Sequence, residues 1–245
     1  MRNFGELATF FFMVFAISGC SSMTGPALKH ETGESLGQGR YRFSARLETS
    51  RLYSLPTSGA TSSGVSQPNK VFQGSVLGIQ GSYGVAPPMD ISLATFFSIA
   101  GGGWRISTKY QILTGGPFAV AVMLGYGAYS GSGTSLYSAA TNSVEVTQTL
   151  SAKIGELSFP ASMRLGTNFL AYSGLHFYRA GVSGSIDGIG VSDAATDLGT
   201  NLGIRYFWSA QVYSDVEFAY VSIHDPFEGG KRFVPFFGLG LGVSF

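Results

Sequence analysis

From Arg40 to Phe245, apolar residues recur at every second position, in segments broken by Gly, Ser, Pro and Asn. That period is the signature of a β-strand with one apolar face. One clear segment sets Trp104, Ile106, Thr108, Tyr110 and Ile112 against Arg105, Ser107, Lys109 and Gln111. Another sets Phe237, Leu239, Leu241, Val243 and Phe245 against Gly238, Gly240, Gly242 and Ser244. Such alternation suits a soluble sandwich and a membrane barrel equally, so the opposite face has to decide. Here it holds Gly, Ala and Ser with scattered charges.

Composition turns the balance. Charged residues make up 12% of the chain, against roughly 25% in an average soluble protein. That is too few to coat a water-facing surface. Gly is 35 of 245 residues, about twice the usual ~7%. Mean hydropathy is +0.22. Yet past the first twenty residues no apolar run approaches the ~20 residues a spanning helix needs. Inside a bilayer only helices and closed barrels satisfy every backbone group. The expected fold is therefore all-β: an antiparallel, transmembrane, up-and-down β-barrel over residues 40–245. The formal net charge of +1 is spread along the chain, which argues against nucleic acid as a partner.

Strands are predicted near 41–48, 77–85, 91–99, 104–112, 118–127, 157–165, 169–177, 198–208, 212–220 and 237–245. The count is about ten, with eight or twelve open. Polar loops are expected at 54–70, 130–150 and 181–197, with a shorter polar one after the ninth strand and tight turns after the second, fourth, sixth and eighth; the stretch 143–153 belongs to its loop or extends a hairpin. Long external loops and short periplasmic turns are the rule in outer-membrane barrels. The predicted lumen face carries Arg42, Arg46, Arg105, Lys109, Arg164 and Arg205 with Glu48, Glu156, Asp215 and Glu217. Both signs together predict a narrow lumen closed by ion pairs. Aromatics near the strand ends, such as Tyr41, Trp104, Tyr206 and Trp208, fit interfacial girdles.

The N-terminus reads as an export signal, residues 1–19. Met1 and Arg2 give a positive end, and residues 7–17 an apolar core too short to span. Ile17-Ser18-Gly19-Cys20 resembles the bacterial lipobox. The resemblance implies a diacylglyceryl group on the Cys20 thiol, cleavage before it, and acylation of the new amino end. Ordinary cleavage with an idle thiol is the alternative. Ser21 after the cysteine is similar to the outer-membrane pattern of lipoproteins. Residues 20–39 are expected to be a flexible periplasmic tether, with His30 solvated. An even strand number would put the tether and Cys20 at the inner leaflet. The final Phe245, on the apolar face of its strand, resembles the terminal aromatic that the barrel-assembly machinery reads.

Candidates for chemistry are sparse. Ser222, His224, Asp225 and Glu228 cluster near the outer end of the ninth predicted strand. Barrel enzymes that trim lipid A carry a serine, a histidine and a glutamate near the outer leaflet. Here the order of serine and histidine is reversed and the following Asn is missing. A protease of the omptin kind would need paired acids with an Asp–His couple. His176, of lumen parity, is expected to be a hydrogen-bonded structural residue. No cofactor or metal site is expected, and the expected partners are outer-membrane lipids and the assembly machinery. Three functions follow: a non-enzymatic surface barrel, a lipid-modifying hydrolase using Ser222 and His224, and a narrow pore.

Overall fold

The computed structural model describes residues 23–26, 28–53, 73–98, 101–138, 143–186, 189–224 and 231–245. Among them lie eleven strands and no helix: β1 (Met23–Pro26), β2 (Tyr41–Tyr53), β3 (Gln73–Ala86), β4 (Met89–Ser98), β5 (Gly101–Gly115), β6 (Phe118–Ser138), β7 (Ser143–Arg164), β8 (Phe169–Ile186), β9 (Ile189–Phe207), β10 (Val212–His224) and β11 (Lys231–Ser244). Strands β2 to β11 each pair with the next, and β11 pairs back onto β2. Ten antiparallel strands thus close into an up-and-down barrel, and they are the ten read from the alternation. The seam sets Ser244 opposite Arg42 and Gly238 opposite Glu48. Phe245 and Tyr41 finish it with reciprocal backbone hydrogen bonds of 2.9 and 3.1 Å.

The apolar stripe points away from the barrel axis. Leu239 and Leu241 are 47% and 64% exposed, while Gly238, Gly240 and Gly242 between them are buried. Phe43, Leu93, Ile106, Leu124 and Leu202 join them on the outside. Such a continuous apolar exterior would be unstable in water and is what acyl chains require. On the inside, Arg46, Glu48, Arg105, Lys109, Glu156, Arg205, Asp215 and Glu217 are all buried, as their parity predicts. Arg42 is half-buried and Arg164 sits exposed at the rim.

The two ends of the barrel differ. At one, the turn end, strands reverse over Pro87-Pro88, Gly116-Pro117, residues 165–168 and residues 208–211. Gly116 and Gly166 take φ of +55° and +96° there, a conformation that favours glycine. Aromatic pairs ring this end: Tyr41–Tyr83, Phe169–Tyr206 and Tyr206–Trp208, with ring centroids 4.8–4.9 Å apart. At the other, the hairpin end, strands run on. β6 and β7 have 21 and 22 residues and stay paired from Phe118↔Met163 to Ser138↔Ser143. β8 and β9 stay paired to Ile186↔Ile189. A tilted strand crosses a bilayer in about 9–11 residues. Roughly ten residues of each long strand, about 30 Å at ~3.3 Å per residue, therefore rise beyond it.

Two expectations need correction. Within the expected loops 130–150 and 181–197, the described residues 130–138, 143–150, 181–186 and 189–197 are paired strand, not loop. Beyond the bilayer neither face must be apolar, so the alternation fades although the backbone ladder continues. The expected loop 54–70 lies outside the described residues. The second correction concerns the tether. Residues 28–36 do not hang free; they run inside the barrel, where Leu28, Lys29, His30, Glu31 and Thr32 are each 5% exposed or less.

Placing a charge on the outer wall tests the lipid-facing assignment. Leu241→Arg, on the outer face of β11 four residues from the turn-end Phe245 and so about 10 Å into the apolar band, is expected to lower stability in phospholipid vesicles by about 2–4 kcal/mol, read from urea unfolding midpoints. A shift within about 0.5 kcal/mol, the ordinary effect of a surface substitution in water, would contradict it.

Candidate functional site

The lumen is where the charged side chains meet, and residues 28–39 organise it. Two apolar residues bracket a polar run. Leu28 packs at the upper level against Tyr178, Ala219, Val221 and Phe236, a small apolar layer closing the lumen toward the hairpin end. Leu36 is buried near the turn end, its backbone N–H donating to both oxygens of Asp90 at 3.0 and 3.1 Å. Between them the charged residues each meet a wall group of opposite character.

Lys29 Nζ lies 2.5 Å from Glu156 Oε2 and 4.6 Å from the centre of the Tyr178 ring. The backbone N–H groups of Lys29 and His30 both donate to the Glu217 carboxylate, at 2.9 and 2.5 Å. His30 Nδ1 is 2.7 Å from Asp215 Oδ1. Arg205 holds the other oxygen of Asp215 at 2.8 Å and donates to the His30 carbonyl at 2.9 Å. Glu31 accepts from Gln80 Nε2 at 2.6 Å, and Gln80 Oε1 in turn accepts from Arg46. Lys109 Nζ reaches the Glu34 carbonyl at 2.7 Å, Asp90 at 3.2 Å and Glu31 at 3.5 Å. At the turn-end rim Arg164 grips Glu34 with two bonds of 2.7 and 2.8 Å. The expected ion pairing is present, but much of it runs from wall to lumen segment rather than across the wall.

Fit is as tight as charge. His30 takes φ of +50°, a region rare outside glycine though less so for His. Its N–H, carbonyl and ring are each held by a different wall residue, which is how such a conformation is maintained. A Cβ on Gly33 would lie 2.2 Å from the Ala119 carbonyl oxygen. One on Gly238 would meet Leu28 at 2.3 Å, and one on Gly240 would meet Asp215 at 2.0 Å. The β11 glycines are therefore spacers, and the groups that fill their space are Leu28, His30 and Asp215.

The candidates from sequence fall out as follows. His176 is buried on the lumen face with Nε2 2.8 Å from Asn201 Oδ1, a structural hydrogen bond. Ser222 is 2% exposed, closed to a lipid substrate. His224 ends β10; Asp225, Glu228 and Cys20 lie outside the described residues. Sequence reasoning missed His30, which forms the Asp–His couple that His224 and Asp225 do not supply. That couple orients an imidazole as a general base would need. At 1% and 2% side-chain exposure, however, and with Arg205 clamped on the same aspartate, no substrate can approach it. Its chemistry is structural.

No protein-family model matches the chain, and no curated protein matches it in sequence. Its fold is similar to that of solved outer-membrane barrels. With the outer membrane protease OmpT from Escherichia coli the TM-score is 0.50 at 11% identity, over 84% of this chain and 94% of that one. Ail, the attachment invasion locus protein of Yersinia pestis, gives 0.40 at 12% identity, over 85% and 99%. Neisserial surface protein A gives 0.39 at 16%, over 84% and 98%. At these identities the likeness is one of fold.

Reversing one buried pair tests the lumen arrangement. Lys29→Glu faces Glu156 with a like charge and is expected to cost about 3–5 kcal/mol, as for a buried pair broken on one side. Adding Glu156→Lys should recover most of that loss in the same unfolding assay. Recovery of less than a third would mean the two side chains do not meet.

Proposed function

We propose that this chain is a self-plugged barrel of a Gram-negative outer membrane, exported by residues 1–19, lipid-anchored at Cys20 and serving as a rigid surface scaffold. The observation that carries this reading is the lumen segment: a barrel filled by its own residues 28–36 has no free passage. The apolar exterior supports a place in lipid, and the terminal Phe245 supports recognition by the barrel-assembly machinery. In barrels of this class the longer connections face outward, so the hairpin end is assigned to the cell surface. The tall β6–β7 and β8–β9 hairpins then belong to the face offered to the environment. Loops and hairpins on such a scaffold are where binding resides.

The pore and hydrolase readings lose ground on the same geometry. Salt bridges between the segment and the wall occupy the lumen from Glu156 down to Arg164, which speaks against a wide pore, and Ser222 is 2% exposed.

Planar-bilayer recording tests the reading directly. The intact protein is expected to show no steady conductance, and a variant lacking residues 28–36 should show stepwise conductance. Open channels in the intact protein would overturn it. So would fatty-acid release from lipid A that is lost in both Ser222→Ala and His224→Ala.

A further inference from the structure

The direction in which the lumen segment runs has a topological consequence. Along the segment the wall partners descend in order. Leu28 N–H donates to Glu48, seven positions up β2 from Tyr41. Lys29 carbonyl accepts from Arg46. Ser35 Oγ donates to Asp90, beside the β3–β4 turn. Gly39 N–H donates to Gly84 at the turn end, and β2 then climbs back. The segment is a single pass, entered from the hairpin end.

A second observation agrees. The β2–β11 ladder stops at Glu48↔Gly238. From Ser50 onward the edge of β2 belongs to β1, with Pro26↔Ser50 and Met23↔Tyr53. The chain therefore reaches the last residue of β2, at the hairpin rim, before it turns down into the lumen.

We propose that the N-terminal side of the chain is displayed on the cell surface, threaded there through the barrel's own lumen, so that the lipid of Cys20 enters the outer leaflet. This rests on the orientation and lipoprotein reading proposed above. Covalent reach decides the leaflet. Cys20 is three residues from Met23, at most about 11 Å of extended chain. Tyr53 to Tyr41 spans about 40 Å along the strand, or about 30 Å along the axis of a barrel tilted near 40°. Three residues cannot return to the turn end. The anchor and the surface hairpins then lie on one side of the membrane, and the segment joins them to the turn end as an internal strap.

Short epitope tags on intact cells test this. One is inserted between Ser22 and Met23, one within 54–70, and one at Gly116 in the β5–β6 turn. Antibody is expected to bind the first two on intact cells and the third only after the outer membrane is permeabilised. A Cys20→Ser version of the first should still bind on intact cells if it reaches the membrane, since the route does not depend on the lipid. Binding at 54–70 without binding at Ser22–Met23 overturns the threading. Binding at Gly116 but not at 54–70 overturns the orientation and the surface display with it. If both those sites respond only after permeabilisation, the outer-membrane reading itself fails. Radiolabelled palmitate on the wild type but not on Cys20→Ser is the expected sign of the anchor; no label on the wild type overturns the outer-leaflet lipid and leaves the tag result to decide the route.

Discussion

A barrel wall in lipid can satisfy its backbone only by closing on itself, and closure sorts every strand into an outside and an inside. Apolar side chains must take the outside. Whatever charge the strands carry is then committed to an interior too narrow for bulk water. In this chain the interior receives Arg46, Glu48, Arg105, Lys109, Glu156, Arg205, Asp215 and Glu217, all buried. Isolated charges in such a space are costly unless paired and hydrogen-bonded. The lumen segment meets much of that need. Its Lys29 neutralises Glu156, its Glu31 and Glu34 answer Lys109 and Arg164, and its backbone N–H groups occupy Glu217.

The wall was legible in the sequence because its constraint is periodic. Strand number, the outward set from Phe43 to Leu241 and the inward charges all follow from parity, and three of the four tight turns from Pro or Gly. The lumen segment was not legible, because Lys29-His30-Glu31-Thr32-Gly33-Glu34 is as polar as a solvated linker. Polarity reports that a residue needs partners, not whether they are water or protein. One hint was available. Glu217 has the parity of a lumen carboxylate, yet it sits opposite Gly203 and Gly238 on its neighbouring strands. Its partners had to come from off the wall. The upper hairpins were hidden for the reverse reason: past the bilayer the backbone ladder continues without requiring an apolar face, and a polar sequence of moderate β-propensity satisfies it.

The same geometry explains why a histidine–carboxylate couple here is no catalytic device. Asp215 divides its two oxygens between His30 and Arg205, and Arg205 also holds the His30 carbonyl. An imidazole so fixed has lost the mobility and access that proton transfer to a substrate requires. What the triangle does is maintain the left-handed backbone at His30, which turns the segment so that Lys29 reaches Glu156 while Glu31 faces Gln80 and Lys109.

The strap is also bound into the seam. β1 takes over the edge of β2 where β11 leaves it, and the hydroxyl of Thr49 covers the first freed group by accepting from Phe237 N–H at 2.9 Å. Pulling residues 28–36 out would strip Glu217 of its partners, leave Glu156 with only Arg105 at 3.8 Å and Ser158, and expose one edge of β2. Gly33 lies so close to the Ala119 carbonyl that the segment could not slide without the wall opening. A gate needs two states of similar free energy. Here the withdrawn state would forfeit several buried, charge-assisted bonds at once, each worth about 1.5–3 kcal/mol. The lumen segment is therefore bonded as part of the barrel rather than poised as a gate.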